Sequence, residues 1–258
     1  MSDDSSTEDW TVGSGDDMNT SPDIYACPRK SEGPFLSHTR PDSEFIETYY
    51  TVYKGLSNSS SSHRALPTEL VLYICRLAEF VCQYTKKAPV GRRRVYASSQ
   101  VVQSLIWFQT EPFTKRMLRH VKSIQLVTMS HHQGWVSDRD AGSWSWFEFQ
   151  VATDQGDVPA LVKRRSNGDE ISWCCLEHPV DRETAEFQGD FVKHEGSIFD
   201  SDHELWTQIE EGDVLQVVMK ARFGGWSNIA SDGVVRISTW WEPSIEMLSL
   251  MDKYNSNT

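Results

Sequence analysis

Residues 143–152 read "SWSWFEFQVA". On a strand, successive side chains point to opposite faces, so Phe147, Phe149 and Val151 share one face while Trp144, Trp146 and Glu148 share the other. Aromatic and β-branched residues dominate, as a pleated, largely buried strand requires. Both faces are loaded, which predicts a strand inside a layered packing. The same period of two runs outward in both directions. "VKSIQLVTMS" (121–130) places Ile124 and Leu126 on one parity and Val121, Ser123, Gln125 and Val127 on the other. "VLQVVMKARF" (214–223) and "GVVRISTWW" (233–241) continue the pattern. Between them, "ALVKRRS" and "EISWCCLEH" flank "NGD" at 167–169, a hairpin signature. "DFVKHEGSIF" (190–199) reads as one more strand, and "ELWTQIEEGD" (204–213) as a short helix or edge closed by a turn at Gly212-Asp213. Many short strands, punctuated by Gly, Asp and Asn and without helical patterns long enough for parallel crossovers, predict an antiparallel β-sandwich or barrel.

Upstream the pattern changes. In "ALPTELVLYICRLAEFVCQYTKK" (65–87), Leu70, Ile74, Leu77 and Val81 recur at four, three and four. That spacing forms one apolar helical stripe, with Pro67 and Glu69 suited to the N-terminal turn. Cys75 and Cys82, seven apart, fall on one face of such a helix. "RRRVYASSQVVQSLIWFQTEPFTKRML" (92–118) fits either a helical or a strand period. "EFIETYYTVYKGL" (44–56) reads as a short element and "SNSSSSH" (57–63) as a polar linker. Residues 1–40, rich in Ser, Asp, Thr, Gly and Pro, bury too little apolar surface to offset ordering entropy, which predicts disorder. The resulting division is a disordered acidic N-terminus (1–43), a helical segment (44–118), a β-sandwich domain (119–244) and a C-terminal tail (245–258) that ends in a loose "DKYNSNT" (252–258).

Composition narrows the function classes. The 258-residue chain carries a formal net charge of −12 and ten tryptophans. An acidic chain lacks the Lys and Arg excess that displaces counterions from nucleic acid, so no nucleic-acid partner is expected. The charge is uneven: residues 86–122 hold nine Lys/Arg against one Glu, and residues 181–213 hold eleven Asp/Glu against two Lys/Arg. Such blocks are ordinarily solvated faces, or surfaces for partners of opposite sign. No apolar run approaches a membrane span. Residues 1–23, with seven acidic residues and no basic one, are the reverse of a secretory leader. Together with an odd set of five cysteines, this predicts reduced thiols and a cytoplasmic or nuclear protein without a membrane partner.

Two strand-end stretches draw attention as binding candidates. Gln133-Gly134-Trp135 and Gly224-Gly225-Trp226-Ser227-Asn228 each combine Gly, Trp and an amide. Indole faces stack on sugar rings or other flat apolar groups, and amides supply paired donor and acceptor contacts. The alternative is that Trp135 and Trp226 cap the open ends of the sandwich. The expected ligand site is therefore Gln133, Trp135, Trp226 and Asn228 on an exposed rim, taking a protein, peptide or glycan. His131 and His132 read as a surface loop, or else as a ligand contact, since adjacent strand residues face opposite ways and cannot share a metal. His120, His178, His194 and His203 show no paired spacing. No catalytic residue, metal or cofactor is expected: Ser143, Ser145 and Ser172 lack a nucleophile elbow, and Cys174-Cys175 reads as inert core within a strand.

"LPTELVLYICRLAEF" (66–80) resembles the opening helix of an F-box, with Leu-Pro-x-Glu-Leu followed by Ile and Leu at helical spacing. In that family the helix docks the adaptor subunit of a cullin-type ubiquitin ligase. The resemblance assigns partner docking to Leu66, Pro67, Leu70 and Ile74. The acidic-leucine turn and Val-Cys-Arg-x-Trp helix that follow in an F-box have no counterpart in 92–120. In addition, "SHHQGW", "GSWSWFEFQV", "EEGDVLQVVMKARFGGWSN" and "VVRIS" occur in an order similar to a fungal protein family in which a short Leu-Pro-x-Glu-Leu helix precedes a sandwich. His132 stands where that pattern has Asp, and Gly224 where it has Pro. The resemblance covers about 65–241 and implies a jelly roll similar to F-box-associated and galactose-binding-like domains. Three roles follow as expectations: a non-enzymatic recognition module, an F-box-like substrate adaptor, or an enzyme on a jelly-roll scaffold. The first is preferred.

Overall fold

A computed structural model of the chain describes residues 41–62, 64–134, 142–156, 159–180 and 189–255. The expected disorder of residues 1–40 lies outside the described residues. Helices α1 (Ser43–Ser57) and α2 (Thr68–Leu77) come first. Strands β1 (Val81–Lys87), β2 (Arg93–Tyr96) and β3 (Gln103–Gln109) follow, then a short α3 (Lys115–His120) and the long β4 (Val121–His132). The chain continues through β5 (Ser145–Thr153), β6 (Leu161–Val162), β7 (Ser172–Glu177), β8 (Val192–Glu195) and β9 (Phe199–Asp200). Helix α4 (Leu205–Gln208), β10 (Asp213–Ala221), β11 (Ser227–Trp240) and α5 (Ile245–Asn255) complete it.

All pairings are antiparallel and fall into two sheets. One sheet runs β1 and β2, β11, β4, then β8 and β9; the other runs β3, β10, β5, then β6 and β7. From β2 to β5 the chain switches sheets at every step, and it does so again from β9 to β10 and from β10 to β11. That is the winding of a jelly roll, two Greek keys closed face to face. The period-two reading of 143–152 holds in detail. Phe147, Phe149 and Val151 are buried in the core with Leu215, Val217 and Met219 of β10 and with Ile124, Leu126, Val235 and Ile237 of the opposite sheet. On the outer face of β5, Trp146 Nε1 donates to Glu148 Oε1 (2.7 Å) and Lys220 Nζ donates to Glu148 Oε2 (2.7 Å). Burial pushes the Glu148 carboxyl up, but the bonds from Lys220 and Trp146 outweigh it and hold it below the ordinary carboxylate range.

Four expectations are corrected. The helix expected over 65–87 ends at Leu77. Glu79 takes a left-handed backbone (φ 60°) that turns the chain, and the β-branched and aromatic residues beyond it form β1. Cys75 therefore lies on α2 and Cys82 on a strand. Residues 81–109 belong to the sandwich rather than to a helical segment, since β1 and β2 pair β11 and β3 pairs β10. The run 190–199 is two strands, because Gly196 and Ser197 leave the sheet to bridge the layers: Gly196 N–H donates to Leu126 O (2.8 Å) and Ser197 N–H to Cys175 O (2.7 Å). The C-terminal tail is mostly the helix α5.

Helices α1 and α2 form a small annex on the sandwich. Asp42 caps α1 by accepting from Phe45 N–H (2.8 Å). Tyr49 packs edge-on against Phe80 and Trp241, with ring centroids 5.0 Å and 4.9 Å away, and Val71 and Cys75 close the cluster. Arg76 Nε donates to Glu242 (2.9 Å), whose other oxygen lies 3.2 Å from His120 Nε2. Among the described residues, no helix is long and apolar enough to cross a membrane.

Candidate functional site

Two of the four residues expected on the rim, Trp226 and Asn228, do not face solvent. Trp226 is only 6% exposed, and Asn228 is fully buried. Trp226 immediately precedes β11 and Asn228 is its second residue, where that strand pairs β2 on one side and His131-His132 of β4 on the other. Asn228 points between the sheets: its Nδ2 donates to Trp146 O (2.7 Å), tying β11 to β5 across the core. Gln133 is half-buried and accepts from Ser227 N–H through Oε1 (3.2 Å). Trp135 lies outside the described residues. The segment that reads as a Gly-rich loop is thus a packed sandwich corner, and Trp226 and Asn228 offer nothing to solvent there.

His131 and His132 are likewise buried, not in a surface loop. On β4 the inward parity runs Ile124, Leu126, Thr128, Ser130, His132, so the core turns polar toward this end. His178, just past β7, completes the network. Its Nδ1 lies 2.6 Å from Ser145 Oγ and its Nε2 3.0 Å from Ser130 Oγ, which in turn lies 2.7 Å from Thr128 Oγ1. The rings of His194 and His132 approach His178 to 5.4 Å and 6.3 Å. Burial, reinforced by the other three imidazoles, holds His178 well below the ordinary histidine range.

A serine hydroxyl bonded to an imidazole is the first requirement for a nucleophile and base. Here both ring nitrogens are occupied by hydroxyls, and both Ser145 and His178 are closed to solvent. As it stands the pair reaches no substrate and acts as a hydrogen-bonded strut between layers. Among the described residues, no three His, Cys, Asp or Glu side chains converge as metal ligands. Cys175 is buried as expected of core, whereas Cys174 is exposed. No sequence spacing flags the network, because its members come from β4, β5, β8 and the end of β7, and only the winding brings them together.

The exposed chemistry lies elsewhere. On α2, Val71 and Cys75 face the annex, while Leu70, Tyr73 and Leu77 are 50%, 59% and 64% exposed. These three positions are separated by three and four residues and so lie along one outward stripe. Of the residues expected to dock a partner, Pro67 and Leu70 are exposed. Leu66 and Ile74 are half-buried, Leu66 against the annex cluster. Tyr73 is not among the residues expected to dock a partner, although its i, i+3, i+7 spacing with Leu70 and Leu77 is visible in the sequence.

No family model matches the chain, and no curated protein matches it. Among solved structures, the chain is similar to one titled "Crystal structure of infectious bursal disease virus VP2 subviral particle", at 11% identity and TM-score 0.32. That alignment covers 62% of this chain and 33% of the other. A second, "Structure of infectious bursal disease virus Gx strain", gives 10% identity and TM-score 0.31 over 62% and 32% of the two chains. The chain spans about a third of the length of these proteins. At these values the likeness carries no weight for function.

Proposed function

We propose that this chain is a non-enzymatic protein-recognition module that docks a partner through the outward face of α2. The observation that carries this reading is the stripe Leu70, Tyr73 and Leu77, held open on a helix whose other face is locked by Val71, Cys75 and the Arg76–Glu242 bond. Helix faces with anchors at i, i+3 and i+7 are the standard currency of helix-in-groove recognition. Fully burying a large apolar side chain contributes roughly 1.5–3 kcal/mol, so these half-exposed anchors would each add about 1 kcal/mol on docking.

The Leu66-Pro67-x-Glu69-Leu70 start favours the adaptor subunit of a ubiquitin ligase as that partner. Such a subunit would grip the α1–α2 pair, because the chain enters β1 directly after α2. The test is binding of the purified adaptor subunit, followed by calorimetry, to wild type and to a Leu70→Asp/Tyr73→Asp/Leu77→Asp variant. The expected result is binding by wild type and its loss in the variant, at unchanged Tm. Failure of wild type to bind removes the ligase reading. A large fall in Tm shows instead that the stripe belongs to the folded core.

A further inference from the structure

A second open surface lies on the side of the sandwich where β2 and β3 come into contact. β3 pairs β10 on one side and, among the described residues, no strand on the other. Natural edge strands are guarded by charges, prolines or bulges. β3 reads "QSLIWFQ", with neither charge nor proline. Its bulge falls at Trp107, between the pairs Ile106↔Val218 and Phe108↔Val217, and leaves 103–106 in regular register. Val101, Val102, Leu105 and Ile106 are all exposed along this edge.

Beside it, at the edge of the other sheet, stand Arg92, Arg93 and Arg94, all exposed. Arg92 lies over the Phe191 ring at 5.6 Å and Arg94 over Tyr96 at 5.2 Å, while Arg93 bonds the Arg92 carbonyl (3.3 Å). Their described contacts include no carboxylate. Lys86 and Lys122 of the same basic block are paired, with Glu111 and Glu79. In a chain of net charge −12, Arg92, Arg93 and Arg94 bring three cationic residues beside this edge. Edge protection explains arginines on β2, but it leaves the apolar edge of β3 bare.

We infer that the β2–β3 side binds an extended, acidic segment of a partner protein, which adds to the free edge of β3 as a strand and sets its carboxylates against Arg92, Arg93 and Arg94. Backbone bonds to an open edge supply affinity in this mode, and alternate side chains supply selection. Arginine is suited to the task, since its planar fork matches a carboxylate bidentately. A second copy fits poorly. Pairing β3 with β3 about a two-fold brings two arginine triplets to the same side, where like charges repel.

The test uses the full chain and labelled heptapeptides alternating Glu or Asp with Val, Ile, Leu, Tyr or Phe, against the same set built on Lys and Arg. The acidic set is expected to bind at least tenfold better at low salt and to weaken as salt rises. An Arg92→Glu/Arg93→Glu/Arg94→Glu variant of unchanged Tm should lose that preference. N-methylation of alternate peptide amides, which keeps the charges and removes the strand bonds, should abolish binding. Equal binding of both sets, or indifference to N-methylation, overturns the inference. So does a concentration-dependent dimer that Ile106→Lys dissolves, which would make a second copy the occupant. Replacing the seven carboxylates of residues 1–23 by amides should leave the affinity unchanged. A tenfold gain would name the chain's own arm as occupant and overturn the assignment to a partner. The α2 variant should bind the acidic peptides as wild type does, so the two surfaces are judged separately.

Discussion

The indole of Trp107, the extra residue in the β3 bulge, lies so close to Gly233 of β11 that a Cβ built at Gly233 would collide with its six-membered ring. The bulge turns Trp107 into the space between the sheets, and β11 makes room by having no side chain there. Overpacking a filled core costs about 1–3 kcal/mol. Gly233→Ala should therefore lower stability by about that much in urea unfolding. Gly55→Ala, in α1 with open space around its added methyl, should instead raise stability by about 0.5–1 kcal/mol. Equal effects at the two sites would show that the Trp107 contact is not tight.

The His178 network makes stability depend on pH in a definite direction. His178 is held neutral when folded, its pKa well below 6.5 through burial and then through His194, His132 and His131. The unfolded chain takes up a proton near pH 6.5 that the folded chain refuses. Stability is therefore fully present above about pH 6.5 and is lost as pH falls below it, at up to about 1.4 kcal/mol per pH unit. Glu148, whose folded pKa is lowered, adds a loss of the same sign only below the ordinary carboxylate range, so the two windows separate. Urea titrations from pH 7.5 to 5 should show the slope, and His178→Gln should flatten it. A flat wild-type profile would mean that His178 is not held neutral.

How much of this was legible in advance can be judged from particular residues. Phe147, Phe149 and Val151 announced their strand because a central strand buries one parity completely. Leu105 and Ile106 did not, because an edge strand buries little and carries no period. Glu79 hid the end of α2, since a left-handed turn at a residue other than glycine leaves no compositional mark. The inward parity Ile124, Leu126, Thr128, Ser130, His132 could be read off β4, but nothing local says that its polar half is inside. That depends on His178 and Ser145 arriving from other strands. Trp226 and Asn228 misled for the converse reason: a Gly-Gly-Trp-Ser-Asn stretch has the composition of a loop, yet ten backbone positions of β11 pair β4 or β2 beyond it and draw it inside.

Glu148 and Lys220 form a largely buried pair on the outer face of β5 and β10, with Trp146 bonded to the same carboxylate. Removing one partner leaves the other charge poorly compensated, which typically costs 3–5 kcal/mol, whereas replacing both by apolar residues is often neutral. Lys220→Met alone should therefore be strongly destabilising, and Glu148→Leu/Lys220→Met should recover most of the loss. The double variant should also lose the acid-side drop below the carboxylate range. Additive losses in the two single variants would argue that the pair is not coupled.

Asn228 offers the sharpest separation between a packed corner and a ligand site. Its Nδ2 bond to Trp146 O joins the first residues of β11 to the other sheet. Asn228→Ala removes the donor and leaves a buried carbonyl short of a partner, at a cost of about 1–3 kcal/mol. The opening should be local, since β11 remains paired with β4 through Thr239. Hydrogen exchange should accelerate at Ala97 and Ser227, whose N–H groups bond Trp226 O and Gln133 Oε1 at this corner, before it does at Val235. Binding of the acidic peptides at β3 should persist in the variant at temperatures where the fold is intact. If Asn228→Ala leaves stability and exchange untouched, Asn228 is not a strut, and its buried amide becomes the first place to look for a ligand.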